Sequence, residues 1–182
     1  MAICKLNRNL TRANNCDYSL PEVVEIYMIN YDDLSATTLD EGTGTSEGCD
    51  AISDIKLHTG TTAFKIVPAK KSASFEDTLV VEDNGNKYRN ASLTFNVTGS
   101  YNACMHGALD ALSLGRYFVV LKLADGGYIA FGRISPIEAE TATLAGGGDS
   151  NGMQIVLSGN IAESPLPLTD AAIAALKTVI AE

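Results

Sequence analysis

The sequence predicts a mainly β protein with one central α-helix and a second helix at its C-terminal end. Three observations predict this fold class: several short segments rich in β-branched and aromatic residues, strict alternation of apolar and polar residues in the longest of them, and Gly- and Asn-rich turns between them. Helical periodicity occurs only in residues 101–114 and 169–181. With 182 residues, 46% of them hydrophobic and 19% charged, the chain has the size and composition of one globular domain.

The first predicted strand, residues 23–31 (VVEIYMINY), carries apolar side chains on both of its faces. A strand of this kind is covered on both sides in a folded protein. The second cover is either another copy of the chain or ordinary core within the domain, and the sequence leaves both alternatives open. The two sets of side chains are Val24, Ile26 and Met28 on one face, and Val23, Tyr27 and Ile29 on the other.

Shorter and less regular segments follow this strand. Residues 41–50 (EGTGTSEGCD) are predicted to form a loop because of their Gly, Ser and Thr content. A short strand is predicted at residues 52–58 and another at residues 62–68. Pro68 restricts the pairing of the second of these, which places it at an edge or an end of a sheet.

A long hairpin is the clearest local prediction, with arms at residues 74–82 and 87–98. The Asn84-Gly85 dipeptide between the arms favours a type I′ turn, in which both central residues need positive φ. The second arm alternates strictly, so Leu93, Phe95 and Val97 are predicted to face the core. The opposite face is polar but uncharged and consists of Ser92, Thr94, Asn96 and Thr98.

The central helix, residues 101–114, is predicted from an apolar stripe at positions 105, 108, 109 and 112. Two further hairpins are predicted from residues 116–134 and 136–161. Pro165 and Pro167 are expected to end the sheet, and Thr169 to cap the C-terminal helix. The chain is therefore divided into an N-terminal arm (1–20), a β domain (21–164) and a helical extension of the same domain (165–182).

The formal net charge of −9 is unevenly placed along the chain. Residues 17–54 contain ten acidic residues and no Lys or Arg, whereas Lys5, Arg8 and Arg12 precede this stretch without any acid. No basic stripe of the kind that grips nucleic acid is present in the sequence. The acidic stretch is either a solvated surface, which is the usual case, or it meets the basic arm within one subunit or between neighbours. No apolar run is long enough to span a bilayer and no secretory signal is evident, so synthesis in a cytosol is expected.

No catalytic or metal-binding motif is predicted. Cys104 and His106 stand two positions apart on the predicted helix and therefore point in different directions. Residues 42–48 lack the Gly-Lys-Ser/Thr ending of a phosphate-binding loop. Glu138 and Glu140 alternate on one strand face, which is more typical of a wet surface than of a glycosidase site. The four cysteines have neither disulfide-framework nor zinc-site spacing. We therefore expect no enzyme activity, no cofactor and no metal.

Three stretches of the sequence resemble tail tube proteins of tailed bacteriophages, of the kind seen in phages of gut Bacteroidetes. The first is the opening, which contains MAICKLNRNL, NNCDY and EVVEIYMINYDDL in that order. The second is the hairpin region, TAFKIVPAKKSASFEDTLVVEDNGNKYRNASLTFNVTG. The third comprises GRYFVVLKLADGGYIAFGR and AGGGDSNGMQIVLSGNIAESPLPL. The C-terminal helix has no clear counterpart in the resemblance.

The resemblance implies a β-sandwich or small barrel with one flanking helix, and related folds occur in contractile injection systems and type VI secretion tubes. It implies that six copies close into a ring and that stacked rings form a tube whose lumen carries the phage genome. The implied partners are other copies of the chain and other tail proteins, while DNA passes without specific binding and no membrane is entered. The implied location is the virion tail, after synthesis in the host cytoplasm.

The resemblance and the charge pattern together yield two sets of candidate residues. A lumen of acidic and neutral polar groups does not hold phosphate, and the predicted lumen-facing residues are Ser92, Thr94, Asn96, Thr98, Glu138 and Glu140. The predicted inter-subunit contacts are Lys5, Arg8, Arg12, Val23, Tyr27, Ile29, Glu41, Glu47 and Asp50. The alternatives are another virion component (tail terminator, head–tail connector or decoration protein) or a β-sandwich module that binds glycan or protein.

Overall fold

The structure is a computed structural model that describes residues 22–41, 50–98, 103–145 and 152–181. The described residues are mainly β, as the sequence predicts, with eleven strands and two α-helices. The elements in chain order are β1 (Val23–Asn30), β2 (Leu34–Asp40), β3 (Ala51–Leu57), β4 (Phe64–Ile66), β5 (Ser74–Val81), β6 (Lys87–Val97), α1 (Ala103–Leu114), β7 (Arg116–Leu123), β8 (Tyr128–Phe131), β9 (Ile137–Ala145), β10 (Gly152–Ile161), β11 (Leu166–Pro167) and α2 (Asp170–Thr178).

Nine of these strands form one antiparallel sheet that curls toward closure. Its order is β11-β8-β7-β9-β10-β6-β5, with β1 paired to β7 and β4 paired to β1. Beyond β4 the chain returns to β6, where the Ala69 N–H donates to the Asn96 carbonyl at 2.9 Å. The expected β-sandwich or small barrel with flanking helices is therefore confirmed. The expected edge position of β4 is confirmed too, since among the described residues it pairs only with β1.

The inner core lies between one side of this sheet and α1. Leu93 and Phe95 of β6 point into it, together with Ile155 and Leu157 of β10, and all four are fully buried. Leu109 of α1 and its neighbour Leu112 close it. Burying each such side chain contributes about 1.5–3 kcal/mol relative to leaving it exposed. Of the apolar positions that the sequence assigned to the core in β6 and α1, Leu93, Phe95, Leu109 and Leu112 are buried, Val97 and Met105 are half-buried against the core, and Ala108 is exposed.

A second, outer core covers the other side of β1 and β7. Tyr27 and Ile29 of β1 lie in it with Phe118 and Val120 of β7. The cover consists of the β2–β3 pair and α2, whose Leu176 is fully buried there. Strand β2 was not predicted from the sequence. Both faces of β1 are therefore covered by elements of the same chain.

This packing corrects three of the predicted inter-subunit contacts. Val23, Tyr27 and Ile29 are at most 6% exposed within the single chain, so their side chains have no surface left for a neighbouring copy. A β-bulge between Val23 and Glu25 also turns Val23 into the inner core rather than the outer one. Of the two alternatives for this strand, ordinary intra-domain core is the one that the structure shows.

The turn between β5 and β6 also differs from the prediction. Gly85 has φ of +87°, but Asn84 does not have positive φ, so the turn is not type I′. The Gly85 N–H donates to the Glu82 carbonyl and the Glu82 N–H to the Asn86 carbonyl, both at 2.9 Å. This is the three-residue loop in which a type I turn is followed by a left-handed glycine.

The C-terminal segment, which contains β11 and α2, packs as part of the β domain. Leu166–Pro167 forms the short strand β11 on β8, so the predicted end of the sheet at the two prolines is wrong. Pro167 is tolerated because β11 is an edge strand, where one backbone N–H is not needed. Thr169 caps α2 as predicted, with its hydroxyl accepting a hydrogen bond from the Ala172 N–H at 3.4 Å.

An ion-pair cluster joins β1 to its two neighbouring strands. The Glu25 carboxylate lies 2.7 Å from Lys65 Nζ and 3.2 Å from Lys122 Nζ, and it accepts a hydrogen bond from the Tyr27 hydroxyl. Partial burial alone would raise the pKa of Glu25. The hydrogen bonds from Lys65, Tyr27 and Lys122 outweigh burial and lower that pKa to about 2.

The lowered pKa predicts a specific loss of stability in acid. The cluster contributes stability that is fully present above the ordinary glutamate pKa of 4.5 and is lost as the pH falls toward 2. Urea unfolding at pH 5.5 and pH 2.5 should therefore show a larger loss for the wild type than for Glu25→Gln, which lacks the titrating group. Equal losses in the two proteins would contradict the assignment.

Candidate assembly surface

Four consecutive strands of the large sheet, β9-β10-β6-β5, form an antiparallel section, which we call the four-strand section. Its register is continuous from one side to the other. Glu76 of β5 lies opposite Ser92 of β6, Ser92 lies opposite Ser158 of β10, and Ser158 lies opposite Glu138 of β9. Directly opposed residues point to the same side of a sheet, so this row spans the whole section.

The side of the section that faces away from the inner core is polar, and we call it the polar face. None of its eighteen residues in the described strands is Lys or Arg, and its apolar or aromatic members are Val80, Tyr88, Ala145 and Val156. The polar groups on this surface are carboxylates, amides and hydroxyls. The polar face consists of Ser74, Glu76, Thr78, Val80, Tyr88, Asn90, Ser92, Thr94, Asn96, Glu138, Thr141, Thr143, Ala145, Gly152, Gln154, Val156, Ser158 and Asn160.

The structure brings four of the six predicted lumen-facing residues together here: Ser92, Thr94, Asn96 and Glu138. Glu140 is exposed but lies in a β-bulge, where Ala139 pairs with Leu157 and Thr141 with Val156. The bulge breaks the alternation on which its predicted position depended. Thr98 is exposed and follows the end of β6.

Both edges of the four-strand section lack a partner strand over most of their length, among the residues that the structure describes. Strand β5 pairs only with β6. Strand β9 pairs with β7 only at Ile137 and Glu138, and five consecutive residues from Glu140 to Leu144 are exposed. An unpaired strand edge presents free N–H and C=O groups that template pairing with another strand.

Several predicted contact residues cannot be placed on this surface. Lys5, Arg8, Arg12 and Glu47 lie outside the described residues. Glu41 and Asp50 flank residues 42–49, which are also outside the described range, and both are exposed.

The residues weighed for catalysis lie on α1 and on β9. Cys104 and His106 are both exposed on α1. Within residues 22–41, 50–98, 103–145 and 152–181, no group of three His, Cys, Asp or Glu side chains is placed to hold a metal ion.

No α-helix in the part of the chain that the structure describes combines the length and the apolar character needed to cross a membrane. Comparison with protein families, with curated proteins and with solved structures finds no match for this chain.

The sequence alone indicated the polar side of β6 but missed the two free edges. Strand edges depend on the order of strands in the sheet, which alternation within one strand does not contain. Their only local signal is the run of polar and small residues in β9, which is unusual for a strand with one buried face.

Proposed function

We propose that this chain is a structural subunit that assembles with copies of itself by pairing β5 of one copy with β9 of the next, and that the assembly is a phage tail tube. The observation that carries the proposal is the four-strand section, with an unpaired edge on each side and a polar face without cations. A contact between two different edges is heterologous, so copies related by rotation close into a ring.

Strand direction is compatible with such a ring. Neighbouring strands of the section are antiparallel throughout, so β5 runs opposite to β9. When β5 pairs with β9 of a copy related by rotation about an axis along the strands, the alternation of direction continues across the boundary. Every copy then contributes four strands to one continuous antiparallel sheet, and neither edge of the four-strand section remains unpaired in the closed ring.

The offset between the two edges also fits a closed barrel. Strand β5 pairs with the half of β6 that is next to the β5–β6 turn. The free part of β9 is separated from β6 by β10, and it lies level with the other half of β6. The centres of the two edges are offset by roughly five residues, or about 16 Å along the strands. Four strands side by side are about 19 Å wide. Pairing the two edges along their full length therefore tilts the strands by about 40° from the axis of the ring. Closed barrels have tilts of about 35–45°.

The polar face then lines the inside of the ring. The inner core, α1 and the outer layer all lie on the other side of the four-strand section, and their bulk has room only outside the ring. Glu76 and Glu138 face the lumen together with hydroxyl and amide groups. A wall of this composition repels or fails to hold phosphate, which suits a conduit through which DNA passes.

Blocking one edge at a time tests the proposal. Lysine on an edge strand disfavours pairing with another chain, so Thr78→Lys on β5 and Thr141→Lys on β9 should each reduce the protein to monomers. Each variant retains its other edge, so an equimolar mixture of the two should form a dimer and nothing larger. Thr38→Lys on exposed β2 is the matched control and should assemble like the wild type.

The measurements are sedimentation velocity and negative-stain electron microscopy at high protein concentration. Rings or tubes of the wild type and of Thr38→Lys, with monomers of the two edge variants, support the proposal. A wild type that stays monomeric, or edge variants that still close rings, would overturn it.

A further inference from the structure

The tip of the β5–β6 hairpin projects beyond the inner core with apolar side chains in solvent. Leu79 is 54% exposed and Val81 is 57% exposed, and Val80 stands between them. Three consecutive apolar residues in an exposed hairpin are a liability unless they make a contact. Glu82 and Asp83 follow them directly, and both are exposed.

An apolar groove of about 540 Å³ lies at the opposite end of β6. One of its walls is β4 with the residue after it, where Phe64 and Val67 are exposed, and the other wall is α1, which contributes Ala108 and Leu112. Val97 at the end of β6 also lines it. A groove of this volume accommodates several side chains of the size of Leu and Val.

The charges beside the groove are opposite to those at the hairpin tip. Lys70 and Lys71 are exposed and follow the groove residue Val67 by three and four positions, and the Lys71 backbone N–H binds the Glu22 carboxylate. Lys65 also lines the groove but is held by Glu25. At the tip, Lys87 on the second arm offsets one of the two acids, so the tip keeps a net negative charge.

We propose that the β5–β6 hairpin tip of one copy docks into this groove of a second copy. Leu79 and Val81 fill the apolar groove, while Glu82 and Asp83 meet Lys70 and Lys71. Apolar fit and charge complementarity at the same place both favour this occupant. An exposed apolar patch that matches a pocket elsewhere on the same molecule produces a head-to-tail contact.

The direction of this contact is along the strands and not across them. Tip and groove lie at opposite ends of β6, which is about 33 Å long. Repetition of the contact gives an open stack rather than a closed ring. The inference therefore rests on the proposed ring and names the surface that would join one ring to the next.

Charge reversal on one side at a time tests the docking. Glu82→Lys with Asp83→Lys, or Lys70→Glu with Lys71→Glu, places like charges together and should lower the fraction of subunits in stacks by about ten-fold or more. Rings should persist, because none of the four residues lies in the edges that form them. Negative-stain microscopy counts rings and stacks separately.

Combining the four substitutions in one chain restores opposite charges in reversed order. Recovery of stacks in the combined variant supports the proposal. Stacks that survive either one-sided reversal, or a combined variant that does not recover, would overturn it. Insensitivity to all of these changes is also the outcome expected if the groove is occupied by residues 1–21 of the same chain.

Cross-linking decides the inference even if no rings form. Cys104 stands four and seven residues before Ala108 and Ala111, so it lies on the groove side of α1. In a Cys4→Ser, Cys16→Ser, Cys49→Ser background, Leu79→Cys and Cys104 should be joined between chains by a short bismaleimide. Lys56→Cys on β3 is the matched control and should give no inter-chain product. Absence of a product from Leu79→Cys contradicts the docking, whereas its presence without rings contradicts only the edge pairing.

Discussion

Leu176→Ala is expected to lower the free energy of unfolding by about 2–5 kcal/mol, because Leu176 of α2 is fully buried in the outer core. The side chain belongs to the same buried cluster as Tyr27, Ile29 and Phe118, the residues that make the outer faces of β1 and β7 apolar. Truncation removes the apolar surface that Leu176 buries and leaves a cavity against rigid strands. Urea denaturation of unassembled protein measures the change.

Leu114→Ala is the matched control for this prediction. Leu114 ends α1 and is 80% exposed, so the same substitution should change the free energy of unfolding by about 0.5 kcal/mol or less. Equal effects at the two leucines would mean that α2 does not cover β1. The outer faces of β1 and β7 would then need a cover from another molecule, as the sequence alone allowed.

Thr94→Lys is expected to convert an assembly that does not retain DNA into one that does. Thr94 lies on β6, in the middle of the polar face and away from both edges. One added lysine in every copy produces repeated rings of positive charge along the lumen. Affinity for duplex DNA should rise on the order of 10²-fold or more at low salt, and it should fall steeply as salt is added.

Thr38→Lys again supplies the control, because it adds the same charge on exposed β2, outside the four-strand section. Nuclease digestion separates the two cases: DNA inside the tube is protected, whereas DNA bound outside is degraded. Protection only in Thr94→Lys assemblies is expected. Equal protection in both variants, or none in either, would contradict the placement of the polar face toward the lumen.

Local sequence patterns correctly predicted those elements whose stability depends on residues close to them in sequence. The alternation in β6 correctly separated Leu93 and Phe95 from Ser92 and Thr94. Thr169 was correctly assigned as the cap of α2, because its hydroxyl satisfies an N–H within the same turn of chain. In each case the residues that decide the structure are neighbours in sequence.

The features that the sequence did not predict are determined by residues that are far apart in the chain. Strand β2 (LSATTLD) has exposed residues at four of its seven positions and too few apolar side chains to signal a strand, and it is set by its pairing with β3. From the sequence, Tyr27 and Ile29 have the pattern of an exposed apolar surface. In the structure they are covered by α2, which is far away along the chain. The bulge at Glu140 changes the direction of a side chain without any local signal.

The candidate site was predictable only in part for the same reason. The uncharged polar side of β6 is visible in the sequence, but its continuation across β10 and β9 depends on register. The hairpin tip with Leu79 and Val81 is a continuous stretch of sequence, whereas its matching groove is assembled from β4, β6 and α1. Distant segments define both the edges and the groove, so neither was predicted.

Backbone hydrogen exchange of β5 and β9 at low and high protein concentration reports directly on whether these two edges pair between copies. If β5 of one copy pairs with β9 of the next, peptides covering residues 74–81 and 139–145 should become protected as concentration rises, because free edge N–H groups acquire partners. Peptides from β2 should exchange at the same rate throughout. Unchanged exchange in β5 and β9 while the protein assembles would contradict the pairing of these two strands between copies.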